Sequence, residues 1–147
     1  MTRPNPDDVA RRVREAFEAY NRHDLEPYIS VMAPDFVAYD PSSPEPIFRG
    51  REAARKQNED NFKAFPDFNW KILSIAASGN IVAAEMLVSG TFNGPLELGG
   101  QTIPPSGKRF EFRMAWVARF NSKGLLSEGR NYYYDATGLP KLLGLKM

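Results

Sequence analysis

The chain has 147 residues and a formal net charge of +1, with no cysteine and a single histidine. This length suits one domain with a real core and excludes two. The balanced charge gives no field that would attract nucleic acid or an anionic membrane. The composition also excludes disulfides, thiolate chemistry and a structural zinc site. No apolar run approaches the roughly 20 residues of a membrane span, so we expect a soluble, cytoplasmic protein without a metal.

The N-terminal third of the chain predicts two helices. Asn5 is a capping residue followed by proline and two acids, and apolar residues then recur at helical spacing through residues 6–21. Asp24 caps a second, short helix that extends to about Met32, and Pro34 ends it.

A strand, a loop and a third helix follow. Residues 36–39 form a short strand, and the proline-rich stretch 40–50 predicts a stiff loop that serves as the rim or lid of a site rather than as a linker. The third helix spans 51–65 and is polar on most of its surface. Its end is set by the proline and aspartate that come next.

The rest of the chain is predicted to form strands. Residues 68–76 and 81–92 make one hairpin around a glycine turn, 93–107 is a long loop, and 108–135 is a second hairpin. A leucine-rich tail, 139–145, forms one or two helical turns. Helices segregated from such a sheet indicate an α+β fold. We expect a curved, mostly antiparallel sheet that forms a cone with three helices over one face, and a mouth where a small molecule enters.

The last hairpin carries the most informative pattern. Side chains alternate between the two faces of a strand, so Asn131, Tyr133 and Asp135 share one face. A carboxylate at the end of an aromatic strand is costly to bury without a partner. Asp135 is therefore either a solvent-exposed strand end or a group held in an apolar pocket for a purpose.

Several short motifs in a fixed order carry a resemblance to a known family. The sequence resembles the SnoaL-like polyketide cyclases of the nuclear-transport-factor-2-like superfamily. The resemblance extends over nearly the whole chain and implies a single domain of residues 1–147. The carrying segments are Asn21-Arg22-His23-Asp24, Gly50-Arg51-Glu52-Ala53, Phe65-Pro66-Asp67-Phe68, Gly79-Asn80-Ile81-Val82, Gly90-Thr91-Phe92-Asn93-Gly94, Ile103-Pro104-Pro105-Ser106-Gly107-Lys108, Trp116-Val117-Ala118-Arg119-Phe120, Asn131-Tyr132-Tyr133-Tyr134-Asp135 and Leu142-Leu143-Gly144-Leu145.

The resemblance implies an α+β cone and an aspartate in the last strand as the acid/base, a position that Asp135 matches. It also exposes two departures, because Phe92 and Trp116 stand where the family often has histidine. The superfamily hosts isomerases, dehydratases, epoxide hydrolases, cyclases and binding modules, so the fold does not select the reaction.

Each candidate residue has a structural alternative. Asp135 is either a desolvated general base or the cap of the tail helix. His23 is either a second acid/base at the mouth or a surface residue of a helix-ending turn, and the surface position is favoured. Tyr20 either donates a hydrogen bond into the pocket or belongs to the core. Asp40, with Tyr39, lies either at the mouth or in a turn before a proline.

The predicted strand at 108–120 has two contrasting faces. One carries an aromatic stripe that serves as both core and pocket lining: Phe110, Phe112, Met114 and Trp116. The other carries Glu111, Arg113 and Arg119, which we expect to form cross-strand ion pairs with Glu85 on an outer, dimer-forming surface. An epoxide hydrolase would need arginine at the pocket floor, and this alternation places both arginines outside.

The leading interpretation is a cofactor-free acid/base enzyme acting on a small, largely apolar carbonyl compound. The implied reaction is intramolecular aldol cyclisation, or a related isomerisation or dehydration. The catalytic candidates are Asp135 and His23. The substrate-binding candidates are Tyr20, Tyr39, Asp40, Phe92, Phe112, Met114, Trp116, Asn131 and Tyr133. The alternatives are a non-catalytic binding or dimerisation module and an epoxide hydrolase. We expect a homodimer.

Overall fold

The computed structural model describes residues 4–41, 46–98 and 100–133 of the chain. Its helices are α1 (Pro6–Asn21), α2 (Leu25–Ser30) and α3 (Arg51–Ala64). Its strands are β1 (Met32–Tyr39), β2 (Ile47–Arg49), β3 (Asn69–Ser78), β4 (Ile81–Thr91), β5 (Leu96–Leu98), β6 (Gln101–Ile103), β7 (Arg109–Phe120) and β8 (Leu126–Tyr133). None of these helices is long and apolar enough to cross a membrane.

Six strands form one open, curved sheet in the order β2-β1-β8-β7-β4-β3. All neighbours are antiparallel except β1 and β8, which run parallel. The short strands β5 and β6 form a separate hairpin. The three helices with this largely antiparallel sheet confirm the predicted α+β cone.

Helix α1 forms where its sequence signals place it. The Asn5 side chain accepts a hydrogen bond from the Asp7 backbone N–H at 2.9 Å and so caps the helix. Its buried residues recur at helical spacing and pack against the inner face of the sheet: Val9, Val13, Ala16, Phe17, Ala19 and Tyr20. The aromatic and aliphatic residues of the inner face complete this core.

The prediction that helix α2 extends to about Met32 and is ended by Pro34 is wrong. The helix stops at Ser30, and β1 already begins at Met32. Pairing with β8 recruits this segment, since the Leu126 backbone N–H donates to the Val31 carbonyl at 2.7 Å. Pro34 is tolerated inside the strand because it falls in the irregular stretch between Met32 and Val37, where the regular ladder is interrupted.

Two stretches predicted as loops contain short strands. Strand β2 lies within 40–50 and pairs with β1, while β5 and β6 lie within 93–107 and pair with each other. Each has three residues, which is too short for a detectable alternation of polar and apolar side chains. The predicted tail helix at 139–145 falls outside the described residues.

Candidate active site

A carboxylate and a phenol meet on the inner face of the sheet. The Tyr133 hydroxyl donates a hydrogen bond to Asp40 Oδ1 at 2.9 Å, although the two residues are 93 positions apart. Asp40 directly follows β1, and Tyr133 ends β8, which lies parallel beside it. The two parallel strands therefore deliver the pair to the same edge of the cone.

The sheet alternation explains why Asp40 faces inward. Phe36 and Ala38 are buried on β1, and Asp40 continues their face. Its backbone N–H donates to the Pro46 carbonyl at 2.7 Å, which fixes the chain where the strand ends. The two interpretations of Asp40, a residue at the mouth and a turn residue before proline, are therefore compatible. The residue ends the strand, and its side chain points into the cone.

Aromatic rings surround the pair. Tyr133 packs on Phe112 at 5.3 Å between ring centroids, and Phe112 stacks on Phe110 at 5.4 Å. Asn131, two residues back on the same face of β8, is half-buried, and its side chain makes no hydrogen bond to any described residue. The structure therefore brings four predicted site residues to one surface: Asp40, Phe112, Asn131 and Tyr133.

Tyr28 is a further phenol in the aromatic core that the sequence analysis did not single out. Its ring packs against Phe17 at 5.6 Å and Tyr20 at 5.0 Å. Burial raises the pKa of its hydroxyl above the usual range, and the negative charge of Asp40 raises it further. The residue lies in a six-residue helix, which is too short to show which face is apolar.

Tyr20 lies in the core, the second of its two interpretations. It has no exposed surface, and its hydroxyl donates to Asn58 Oδ1 at 2.9 Å while accepting from Asn61 Nδ2 at 3.1 Å. The Asn58 amide donates in turn to the Ala54 carbonyl at 2.7 Å. A hydroxyl engaged in this way holds α1 against α3 and is not available to a ligand.

Three further predicted lining residues are enclosed by protein. Phe92 is 0% exposed, Met114 2% and Trp116 7%. Phe92 packs on Phe65, and Trp116 meets Phe17 edge to face. The alternation of side chains correctly assigned the aromatic stripe of β7 to the inner face. Within that stripe only the Phe112 side chain is half-buried rather than fully buried.

Two candidates point elsewhere. His23 has a φ of +64° in the turn after α1, is exposed, and packs on the Phe62 ring at 4.4 Å. This is the surface position favoured from its sequence context. Tyr39 lies on the opposite face of β1 from Asp40, where the Arg130 guanidinium sits 4.1 Å from its ring centre. Neither residue contacts the Asp40–Tyr133 pair.

The outer face of the sheet carries the arginines, as alternation predicted. Arg113 and Arg119 are exposed. The predicted cross-strand ion pairs with Glu85 are wrong for the described residues, because the register sets Ala115 opposite Glu85 and Leu87 opposite Arg113. No arginine of this strand reaches the inner face, so the polar constellation of an epoxide hydrolase is not assembled from it.

Asp135, the acid/base candidate from the resemblance, lies outside the described residues. Among those that are described, no three histidine, aspartate or glutamate side chains converge as metal ligands. A groove of about 240 Å³ does lie between α1 and β3, lined by Arg14, Glu18 and Lys71 among others. Neither Asp40 nor Tyr133 lines that groove, so it is separate from the pair.

The comparisons with known proteins agree with this architecture. A model of the SnoaL-like domain matches residues 13–129. The chain belongs to the SnoaL-like domain family. No curated protein matches it at a significant level.

Solved structures of the same fold cover nearly the whole SnoaL-like chain. AclR from Streptomyces galilaeus, a proposed hydroxylase, is 28% identical with a TM-score of 0.75, over 95% of this chain and 98% of AclR. IdmH from Streptomyces antibioticus, a proposed polyketide cyclase, is 26% identical with a TM-score of 0.69, over 93% and 99%. A proposed SnoaL-like polyketide cyclase from Jannaschia sp. CCS1 has a TM-score of 0.80 at 18% identity, over 99% of both chains, and shows the fold alone.

Proposed function

We propose that this SnoaL-like protein is a cofactor-free acid/base enzyme acting on a small, largely apolar, polyketide-like carbonyl compound. The observation that carries the proposal is the Asp40–Tyr133 hydrogen bond on the inner face of the sheet, beside the rings of Phe110 and Phe112. A carboxylate there can accept a proton from carbon, and the neighbouring rings offer the substrate an apolar surface. Membership of the family supports the substrate class.

The proposed reaction begins at a C–H bond next to a carbonyl. Asp40 takes the proton, and the electron pair of that bond forms an enolate. In a cyclisation the enolate carbon attacks a second carbonyl of the same molecule, and the new alkoxide receives the proton back. In an isomerisation the proton returns to a different carbon. Tyr133 orients the Asp40 carboxylate, and the Asn131 side chain, which makes no hydrogen bond to a described residue, contacts a substrate oxygen.

Asp135 remains a proposed second carboxylate of the site. It matches the acid/base position implied by the family resemblance, and it follows Tyr133 by two residues. If both carboxylates act, one is the base and the other returns the proton, so each must be replaced separately to assign the roles.

Hydroxylation is a second candidate, because AclR is described as a proposed hydroxylase and is 28% identical over 95% of this chain. Incorporating one oxygen atom from O2 requires a reductant as well as O2. Proton transfer to and from carbon requires neither. Turnover of a ketone that persists without O2 and a reductant would therefore support proton transfer, whereas turnover that needs both would support hydroxylation.

We also propose a homodimer formed through the outer face of the sheet. Glu85, Arg113 and Arg119 are exposed there and make no ion pair with a described residue. A twofold interface brings such opposite charges together across the axis. Light scattering should give twice the chain mass of 16.6 kDa, and Arg113→Glu should lower it. A monomer at micromolar concentration would contradict the dimer.

The function is tested by deuterium exchange in D2O. The purified chain is incubated with 1-tetralone, an apolar aromatic ketone, and deuterium at the carbon next to the carbonyl is followed by NMR. We expect exchange above the buffer rate for the wild type, and a rate about 100-fold lower for Asp40→Asn, since a positioned base contributes about that much.

The controls separate the alternatives. Asp67→Asn removes a carboxylate that bonds Thr91, at 2.6 Å to its N–H and 2.7 Å to its hydroxyl, away from the pair. This variant should exchange at the wild-type rate. Saturable ketone binding with no exchange in any variant would instead identify a non-catalytic binding module.

A further inference from the structure

A groove separate from the Asp40–Tyr133 pair lies between α1 and β3, the strand at one edge of the sheet. One wall is formed by residues that share a face of α1, and the other by four consecutive residues of β3. Its volume is about 240 Å³, which is below the roughly 300–1,000 Å³ of pockets for drug-sized ligands. The groove therefore suits a small organic molecule.

One side chain of α1 holds the backbone of β3 beside the groove. The Asn21 amide donates to the Trp70 carbonyl at 2.9 Å, and its oxygen accepts from the Trp70 backbone N–H at 2.8 Å. The backbone groups of Trp70 therefore point away from β4 and towards α1. The Phe17 ring packs on the Trp70 ring at 5.6 Å between centroids. Together these contacts fix the separation of the two walls.

The next outward-facing backbone position along this edge is open. Trp70 and Ile72 lie opposite Val88 and Met86 in one unbroken register, and the backbone groups of alternate residues in an antiparallel strand point to the same side. The Ile72 N–H and carbonyl therefore also point away from β4, and Ile72 lines the groove. No side chain or loop among the described residues hydrogen-bonds to either group. A ligand in the groove can accept a hydrogen bond from this N–H.

The charged side chains along the groove have no ionic partner in the described part of the chain. Arg14 and Glu18 extend from α1 and Lys71 from β3, and all three are exposed. None of them forms an ion pair with another described residue. By contrast, Arg11 lies one turn earlier on α1 and pairs with Glu15 at 3.0 Å. Two cations and one carboxylate leave the groove with a positive balance, which favours an anionic ligand.

We propose that the groove between α1 and β3 binds a small aromatic carboxylate. The ring of the ligand lies against the Trp70 and Ile72 side chains, and one carboxylate oxygen accepts from the Ile72 N–H. Arg14 and Lys71 bring positive charge to this carboxylate from the two walls, and hydrogen bonds between charged groups are stronger than those between neutral groups. Glu18 repels the carboxylate and limits its affinity. The site goes beyond the proposed function and does not depend on it.

The test compares two probes of similar shape and different charge. Hydrocinnamate carries a carboxylate, and hydrocinnamyl alcohol has a neutral hydroxyl in its place. Equilibrium dialysis against the full chain at low ionic strength should show that the wild type prefers hydrocinnamate, and added salt should reduce this preference. In Arg14→Gln and in Lys71→Gln, hydrocinnamate should bind about fivefold more weakly, which is the effect of losing one exposed charge pair. The alcohol should bind as before.

Two further variants test the role of charge in the groove. Glu18→Gln removes the repelling carboxylate and should strengthen hydrocinnamate binding by about threefold. Arg11→Gln is the matched control, because this arginine is on the same helix but outside the groove, and it should leave the affinity unchanged. All four replaced side chains are exposed, so loss of folding does not account for a change in affinity.

The outcomes are distinct from those of the catalytic test. Asp40→Asn should leave hydrocinnamate affinity unchanged even where it abolishes proton exchange. Equal affinity for the acid and the alcohol, no binding of either probe, or an acid affinity that survives both Arg14→Gln and Lys71→Gln would overturn the proposal. Acid binding that responds to Asp40→Asn and not to Arg14→Gln would place the ligand in the cone and would overturn it as well.

Discussion

Replacing Gly94 by alanine is expected to destabilise the protein by about 3 kcal/mol or more, at the upper end of the range for overpacking. A Cβ atom at this position would lie 1.8 Å from the Lys63 carbonyl oxygen and 2.8 Å from its carbonyl carbon. Both are backbone atoms in the last turn of α3, so no side-chain rotation relieves the clash. The end of the helix or the chain at 93–94 must move.

The clash would also disturb hydrogen bonds that end the helix. The backbone N–H groups of Asn93 and Gly94 donate to the Ala64 carbonyl at 3.0 and 3.1 Å. These bonds satisfy a carbonyl that α3 itself leaves without a partner. Loss of these hydrogen bonds in Gly94→Ala would lower the free energy of unfolding further, beyond the effect of the steric clash.

Urea unfolding followed by tryptophan fluorescence measures this change. The matched control is Gly79→Ala, where nothing lies within 4 Å of the added Cβ but φ is +59°. Backbone strain alone should cost that variant about 1 kcal/mol. A free energy of unfolding for Gly94→Ala no lower than that of Gly79→Ala would show that the close approach to α3 is not present.

Tyr20→Phe should lower the free energy of unfolding by about 2 kcal/mol at neutral pH. The ring and its contacts remain, but Asn58 Oδ1 loses its donor in a site where that residue is 9% exposed. A buried acceptor left unpaired costs about 1–3 kcal/mol. Tyr132→Phe, on an exposed tyrosine, is the control and should change stability by less than about 0.5 kcal/mol.

The same variant should change the response of stability to alkali. Burial raises the pKa of Tyr20 well above its usual range and the charge of Tyr28 raises it further, although the hydrogen bond from Asn61 acts in the opposite direction. In the unfolded chain tyrosine ionises near pH 10, at about its unperturbed pKa. Above that pH the unfolded state releases a proton that the folded state keeps, so the stability contribution present below pH 10 is lost as pH rises.

This loss approaches about 1.4 kcal/mol per pH unit for each such tyrosine. Phenylalanine cannot ionise, so the difference between wild type and Tyr20→Phe should shrink by about that amount between pH 7 and pH 11. A constant difference across this range would mean that Tyr20 ionises equally well in the folded state.

The fold was predictable because its signals are local and long. Helix α1 has a capping asparagine and a helical apolar stripe, and β7 alternates over 12 residues. That alternation correctly separated Met114 and Trp116 from Arg113 and Arg119. It could not show which inward residues line a site, because this depends on how closely the helices pack over them. Met114 is enclosed, whereas Phe112 two residues earlier keeps accessible surface.

The candidate site was harder to predict because it depends on contacts distant in sequence. Asp40 and Tyr133 were each candidates, but nothing local indicates that residues 93 positions apart form a hydrogen bond. Their meeting depends on the parallel pairing of β1 with β8, which a hairpin pattern does not reveal.

The most direct test of the central claim is a double-mutant cycle on deuterium exchange into 1-tetralone. Asp40→Asn, Tyr133→Phe and the double variant are compared with the wild type at one pH. If the hydrogen-bonded pair performs the proton transfer, Asp40→Asn slows exchange about 100-fold, and Tyr133→Phe also slows it. The double variant is then no slower than Asp40→Asn alone, because the two residues act as a unit. Exchange at the wild-type rate in Asp40→Asn would contradict the claim and move the catalytic role away from this pair.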